Sequence, residues 1–317
     1  MNNLWIIIPF LNEGHWIRDT IKSIYNSVNS KDIRVVALDD GSKDMTMEQS
    51  MALVKEFPNV KYVRNPVRIG VDGSRHKGVE MAESDYILVI DGHHKFWENQ
   101  DWHSKIKECI DRNPKTIHCC TCLGLGYGVD KIENHIGKYH AADLKLLTDQ
   151  EKDRPFRSVI EPKWTSEKPE QEYEVGCVLG ANYFFNKQWF MRLHGLAHLK
   201  SWGTSEPFLS LKSYLAGGDC KINRGIEIAH HFRSEATYST LCKDLCYNKI
   251  YVLKTIFPKD MEDVLMKYIP KDRNYNDAMQ MIEADKELIE SERQYYQSIF
   301  KSTVPDYCKR FGIEIPN

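Results

Sequence analysis

Three apolar runs in this chain each stop at a polar cluster, and that recurrence limits the fold more than any other feature. Leu4 to Pro9 runs toward Asn12-Glu13, Ile33 to Leu38 into Asp39-Asp40-Gly41-Ser42, and Tyr86 to Ile90 into Asp91-Gly92-His93. An unbroken apolar run of strand length is covered on both faces, as in a parallel sheet. The intervals between the runs are helical in pattern. Ile17, Ile21, Ile24 and Val28 recur at steps of four, three and four, which makes one apolar stripe. Met45 to Phe57 reads as a second helix, capped by Ser42 or Asp44, and Val71 to Met81 as a third. Val60 to Val63 is a short strand between them; Trp102 to Ile110 then predicts a helix and Thr116 to Thr121 a strand. Alternation of this kind argues a doubly wound parallel sheet of the α/β class. Ligands of such sheets lie beyond the carboxyl ends of the strands, where all three polar clusters fall.

Past Gly124 the character changes. Gly124, Gly126 and Gly128 lead into a charged stretch punctuated by Pro155, Pro162 and Pro169, which reads as long loops or a flap over the sheet. Val175 to Phe185 returns to strand character, and Glu206 to Leu215 predicts a helix stopped by Gly217-Gly218. From Tyr238 onward the pattern is helical: Leu241 to Leu253, Met261 to Tyr268 and Asn276 to Phe300. The expected organisation is a nucleotide-binding domain over 1–235 and a helical C-terminal extension over 236–317.

The bulk numbers exclude some partners. A net charge of −2 supplies no strong pull toward nucleic acid or acidic lipid. No apolar run reaches the roughly 20 residues of a membrane helix, and the N-terminus lacks the pattern of a signal peptide. Nine cysteines form an odd set, and Cys119, Cys120 and Cys122 crowd one strand as core packing, so a reduced, cytoplasmic setting is expected.

Two of the polar clusters carry chemistry. Asp91-Gly92-His93 reads either as a polar loop or as two ligands one residue apart, just past a strand, that suit a cation lodged on a diphosphate. Carboxylate favours Mn²⁺ or Mg²⁺, and imidazole tilts the choice toward Mn²⁺. Asp39-Asp40-Gly41-Ser42 reads either as a turn with a helix cap or as a carboxylate accepting from a base N–H or a ribose hydroxyl. Trp97, Trp102 and Trp164 read as packing, and Lys152, Arg154, Arg157 and Lys163 as a solvated flap.

Ile7 to Glu13 (Ile-Ile-Pro-Phe-Leu-Asn-Glu), Leu38 to Asp44 (Leu-Asp-Asp-Gly-Ser-Lys-Asp) and Asp91-x-His93 occur in an order that resembles GT-A glycosyltransferases of the family-2 type. The closer likeness is to polypeptide N-acetylgalactosaminyltransferases. It runs through Arg64-Asn65, Arg68-Ile69-Gly70, Ser74-Arg75, Asp91-Gly92-His93, Gly180-Ala181-Asn182-Tyr183-Phe184, Trp202 to Glu206, and Ala229-His230-His231-Phe232-Arg233. The resemblance implies a GT-A fold: a Rossmann-like nucleotide-binding sheet flanked by helices, here with the C-terminal helical extension. It implies that Asp91, His93 and His230 bind Mn²⁺ or Mg²⁺, with His231 as the rival of His230; on an extended strand the two point to opposite sides, so one alone serves. It implies that Pro9, Phe10, Asn12, Glu13, Asp39 and Asp40 hold uracil and ribose, that Arg68, Gly70 and Arg75 lie near the nucleotide, and that Gly180 and Ala181 admit the donor sugar. Trp202, Glu206 and Arg233 would line sugar and diphosphate as the catalytic residues; in an inverting reaction Glu206 would take the acceptor proton, and in a retaining one UDP itself could accept it. Ungapped counting from Trp202 puts Ser205 where the family has Glu, and a one-residue insertion restores Glu206.

The expected activity is metal-dependent transfer of a sugar from a UDP-sugar (UDP-GalNAc, UDP-GlcNAc or UDP-glucose) to an acceptor hydroxyl, with retention. A protein, a glycan and a hydroxymethylated pyrimidine in DNA are the acceptors in view. A non-catalytic nucleotide-sugar binding module is the alternative should Ser205 have replaced the carboxylate. A nucleotidyltransferase would need a glycine-rich loop after the first strand, and Phe10-Leu11-Asn12-Glu13 is not one.

Overall fold

The computed structural model describes residues 3–316 except 45, 58, 99–100, 127–128, 130, 141, 148–158, 166–167 and 233–240. The early strands β1 (Leu4–Phe10), β2 (Ile33–Asp39), β3 (Val60–Arg64) and β4 (Tyr86–Ile90) lie parallel in the order β3-β2-β1-β4. Helices α1 (Trp16–Ser27), α2 (Thr46–Glu56) and α3 (Gly70–Met81) connect them. Alternation along β1 explains its unbroken apolar run. Leu4, Ile6 and Ile8 pack in one core with Ile17, Ile21 and Ile24 of α1, while Trp5 and Ile7 pack in the other with Val79 of α3. Both faces are covered, so no position is left for a polar residue.

The remaining half of the sheet is mixed. After β5 (His94–Phe96) and α4 (Trp102–Arg112) the chain forms β6 (Thr116–Leu125) and β7 (Gly137–Tyr139). The hairpin β8 (Ala142–Leu147) and β9 (Val159–Trp164) stands as a separate two-stranded sheet, followed by β10 (Glu172–Glu174). Strand β11 (Asn182–Asn186) then inserts antiparallel between β4 and β6. Helices α5 (Lys187–Arg192) and α6 (Ser205–Leu215) precede β12 (Asp219–His231), which runs parallel to β6 with a register shift between Asn223 and Glu227. The parallel expectation thus holds for β1 to β4, while β11 reverses direction after the long excursion that follows β6. Residues 124–175, expected as loops or a flap, contain four short strands. Their signal was present: Ala142, Leu144 and Leu146 alternate as buried positions with Asp143 and Lys145 between them. The Lys152, Arg154 and Arg157 part of that stretch lies outside the described residues.

Five helices close the chain: α7 (Cys242–Ile256), α8 (Lys259–Leu265), α9 (Arg273–Ala284), α10 (Lys286–Ile299) and α11 (Val304–Phe311). The single helix expected over Asn276 to Phe300 is broken at Asp285, whose carboxylate accepts from the Tyr247 hydroxyl at 2.8 Å and faces Lys200 Nζ at 3.4 Å. Tyr247, Ile250, Tyr251, Leu253 and Tyr296 join the same apolar cluster as Trp5, Ile7 and Val89 of the sheet. Cys119, Cys120 and Cys122 are buried core residues, and burial pushes the Cys119 and Cys122 thiols up to about 12. No helix among the described residues is long and apolar enough to cross a membrane.

Candidate functional site

A short strand explains how distant segments meet. β5 follows Asp91-Gly92-His93 directly and pairs antiparallel with the end of β12, with His94 opposite His230. The His231 amide also donates to the His93 carbonyl at 3.1 Å. This places Asp91, His93 and His230 around one point, each offering a ligand atom within 4.8 Å of the others. The His93 and His230 rings lie 4.6 Å apart, and His230 Nε2 is 3.7 Å from Asp91 Oδ2. The strand alternation separates the rival histidine: His231 turns to the other side and packs on Trp16 at 4.3 Å.

The donor set fits a small divalent cation. Bonds of roughly 2.1 Å place opposite ligands about 4.2 Å apart, so small side-chain rotations close the set. Burial holds both imidazoles below their ordinary value, which leaves them neutral and able to donate a lone pair. Burial alone would push the Asp91 carboxyl up. Arg75 and the neighbouring histidines outweigh it and keep the carboxyl well below the usual range, hence ionised. Glu13, itself buried, reaches His93 Nδ1 at 3.3 Å from the β1 loop and orients that ring.

Arg75 is the hub of the site. Its guanidinium meets Asp91 at 2.8 Å, Asp72 at 3.3 Å and Glu206 at 3.6 Å, and donates to the Gly180 carbonyl at 3.2 Å. Burial works against its charge, but Tyr183 and the three carboxylates hold the proton on firmly. Asp72 has no solvent exposure, and burial raises its carboxyl to about 7 against the pull of Arg75. Sequence reasoning missed Asp72, although its spacing of three from Arg75 on a helix is the signal that would have found it.

Two cavities flank this hub. One of about 240 Å³ is lined by Pro9, Phe10, Glu13, Asp40, Arg68 and Trp202, together with Arg75 and the Asp91 and His230 pair. The other, about 320 Å³, opens over Gly180 and Ala181 and is walled by Glu206, Trp202, Glu161 and Trp164. A Cβ at Gly180 would sit 2.3 Å from the Glu206 carboxylate, so only glycine admits that side chain. The carboxylate at 206 therefore faces the cleft, and the insertion reading places the acid there rather than at Ser205. Trp164, read as packing, is half exposed on the cavity wall.

Other expected residues stand behind the walls. Asp39 does not line either cavity. Its Oδ1 accepts from the Gly41 and Ser42 amides, and its Oδ2 from Tyr62 and Arg64, both at 2.7 Å. Asn12 ties its loop to the next one, accepting from the Lys43 amide at 2.9 Å while its own amide donates to Ser42. Gly70, at φ +84°, donates to Asp40 and packs so closely on Ser201 that a Cβ would overlap that backbone. These three are taken up by loop-to-loop contacts. Arg233 lies outside the described residues.

The family model described as Glycosyl transferase family 2 matches residues 5–191. The chain belongs to glycosyl transferase family 2. It therefore carries a glycosyltransferase domain, close to those of polypeptide N-acetylgalactosaminyltransferases. Human polypeptide N-acetylgalactosaminyltransferase 16 is 25% identical over 238 residues, covering 74% of this chain and 41% of that protein. The chain spans about two-fifths of the length of the first curated relatives it matches. The crystal structure of GalNAc-T7 with UDP, GalNAc and Mn²⁺ superposes with a TM-score of 0.73 at 15% identity, over 98% of this chain and 57% of that one. The crystal structure of S. aureus TarS 1–349 in complex with UDP gives 0.51 at 14% identity, over 83% and 69%. The fold of this family-2 chain is thus GT-A: a mixed, curled sheet flanked by helices, with helices at the C-terminus.

Proposed function

We propose that this chain transfers a sugar from a UDP-sugar to an acceptor hydroxyl with the help of Mn²⁺ or Mg²⁺. The observation that carries the reading is the meeting of Asp91, His93 and His230 beside the buried guanidinium of Arg75, between two cavities. UDP, GalNAc and Mn²⁺ in GalNAc-T7, which shares this fold, support the same choice of ligands. The cavity walled by Pro9, Phe10 and Asp40 takes the nucleoside, and Arg68 and Arg75 face the diphosphate. Asp39, Asn12 and Gly70 act from behind it by fixing the loops. A divalent cation on the Asp91 set would offset charge on the departing diphosphate. Arg75 adds positive charge that is in place before reaction, which favours the leaving group without reorganisation. Gly180 leaves room for the sugar ring, and Trp202, common to both cavities, excludes water at their junction.

Retention of configuration fits the same walls. Inversion needs a carboxylate free to take the acceptor proton. The three carboxylates that line the sugar-side cavity are all engaged by cations, Asp91 and Glu206 by Arg75 and Glu161 by Lys249. The proton then passes to an oxygen of the departing UDP on the same face. The acidic lining also disfavours DNA as acceptor and favours a hydroxyl on a neutral glycan or a protein.

UDP release from UDP-GalNAc, UDP-GlcNAc and UDP-glucose, measured with Mn²⁺ and again with a chelator, tests this. One donor should turn over with metal, stop with chelator and recover when Mn²⁺ returns. UDP binding without turnover of any donor would mark a nucleotide-sugar binding module instead.

A further inference from the structure

A third cleft takes no part in the transfer chemistry. It has a volume of about 690 Å³ and lies between α1, β5 and the turn at residues 131–133. It adjoins the candidate metal site: His94 and His231 line it, and His94 stands opposite His230 in the β5–β12 ladder. The His94 ring centroid is 4.9 Å from that of His230.

Among the buried polar atoms of its lining residues, His94 Nε2 and Trp97 Nε1 lack a hydrogen-bond partner and are of opposite kind. His94 is 2% exposed and uses Nδ1 on the Asp91 carbonyl at 3.1 Å. A bond to a carbonyl puts the proton on Nδ1, which leaves Nε2 as an acceptor, and that nitrogen is unpartnered. Trp97 Nε1 is a donor only, and it too is buried without a partner. A buried polar group left unpaired costs stability, so such a pair calls for a ligand or water that supplies both roles.

The rest of the lining selects among ligands. Asp19, Glu98 and Glu133 contribute three carboxylates, and Lys22, Lys95 and Lys131 three ammonium groups, so the formal charges cancel. A phosphate or polyanion gains nothing from such a wall, whereas hydroxyls bind well to alternating donors and acceptors. Trp16, packed against His231 at 4.3 Å, adds an aromatic side on which an apolar ring face can lie.

We propose that this cleft is a second saccharide-binding site, which holds a neutral, hydroxyl-rich glycan away from the transfer centre. The choice of a saccharide deepens the sugar-transfer reading, but the binding itself needs neither donor nor metal. The site would retain a glycan that carries, or has just received, the transferred sugar.

Saturation-transfer NMR with maltose, cellobiose, lactose and N,N′-diacetylchitobiose at millimolar concentration, without UDP or metal, tests the proposal on the full chain. At least one disaccharide should bind, and inorganic pyrophosphate should not displace it. Trp97→Phe removes the indole donor and keeps the ring, and Glu133→Gln with Lys131→Met changes only the exposed rim. Each should weaken binding about fivefold to tenfold, the scale of a lost hydrogen bond, while UDP affinity stays as in the unaltered chain. No binding by any disaccharide would overturn the site, leaving water on the two unpaired atoms. Binding that UDP with Mn²⁺ competes away, or that neither variant weakens, would also overturn it by placing the sugar in the donor cleft. A failed UDP-release assay with intact disaccharide binding would reject the transfer reading alone.

Discussion

The two halves of the sheet hold their site residues in different ways. In the parallel half, loops that follow β1, β2 and β3 fasten one another through near neighbours. Asn12 joins Lys43 and Ser42, Asp39 gathers Tyr62 and Arg64, and Asp40 accepts from the Ile69 and Gly70 amides at 2.8 Å. In the mixed half the equivalent work is done from a distance by the C-terminal helices. Lys249 of α7, 1% exposed at its side chain, holds Glu161 and the Val159 carbonyl of β9. Asn248 bonds Lys200 in both directions, and its side-chain amide also donates to the Gly203 carbonyl at 3.0 Å. Glu292 of α10 holds His194, and Lys212 of the earlier helix α6 donates to the Gly195 carbonyl. The cavity proposed for the nucleotide is therefore built by its own loops, and the one proposed for the sugar leans on packing that arrives late in the chain.

Strain follows the same division. Among the described residues, His194, His198, Ser201 and Thr204 all have positive φ within one loop, whereas the parallel half has Asn12 alone among non-glycines. Left-handed backbone costs a non-glycine residue roughly 1–3 kcal/mol and persists only where surroundings enforce it. The helices behind the loop supply that enforcement and deliver Trp202 to the junction of the two cavities.

The largest effect should come where the halves meet. Asp91→Asn keeps the size of the side chain and removes the charge that faces Arg75 and His230. UDP release should fall about a thousandfold or more, the scale of losing a principal electrostatic group, with the circular dichroism spectrum unchanged. Full activity would remove the metal reading. Next is Lys249→Met, which leaves Glu161 without its buried cation. Breaking one side of such a pair costs about 3–5 kcal/mol. Urea unfolding should show that loss, and transfer should drop while UDP affinity holds. An equal loss of UDP affinity would break the distinction between the halves.

A smaller effect concerns acid. His118 of β6 lies fully buried on Phe184, and burial, helped by Lys221 and Arg112, lowers it from 6.5 to about 3. The unfolded chain then binds a proton below pH 6.5 that the folded chain refuses. The stability tied to a neutral His118 is complete above that pH and declines as the pH falls toward 3. Between pH 7 and pH 5 the unaltered chain should lose ~2 kcal/mol more than His118→Phe does, read by urea unfolding at both values. Parallel slopes would show that His118 does not carry the acid sensitivity. The smallest effect is a gain. Thr204→Gly removes a β-branched side chain from φ +70° and should raise stability by ~0.5–1 kcal/mol, seen as a higher unfolding midpoint. A lower midpoint would mean that the loop is held by the threonine's packing rather than strained by it.

Sequence alone determined β1 to β4, the helices between them and the polar clusters at their ends. Each of those signals is local: both faces of a central parallel strand are covered, so its residues are apolar without exception, and the first polar residue marks the exit. It also marked Asp91, His93 and the two candidate histidines at 230 and 231. Tertiary structure alone decided between those histidines, because strand direction selects one face and pairing with β5 supplies the neighbour. It alone put the acid at 206 into the cleft, through the gap that Gly180 leaves, and drew Asp39 behind the wall, where four donors surround it. The grip of Lys249 on β9 was hidden for the same reason. Its partner Val159 lies 90 residues away in the chain, and a contact over that distance leaves no periodicity in the residues that make it.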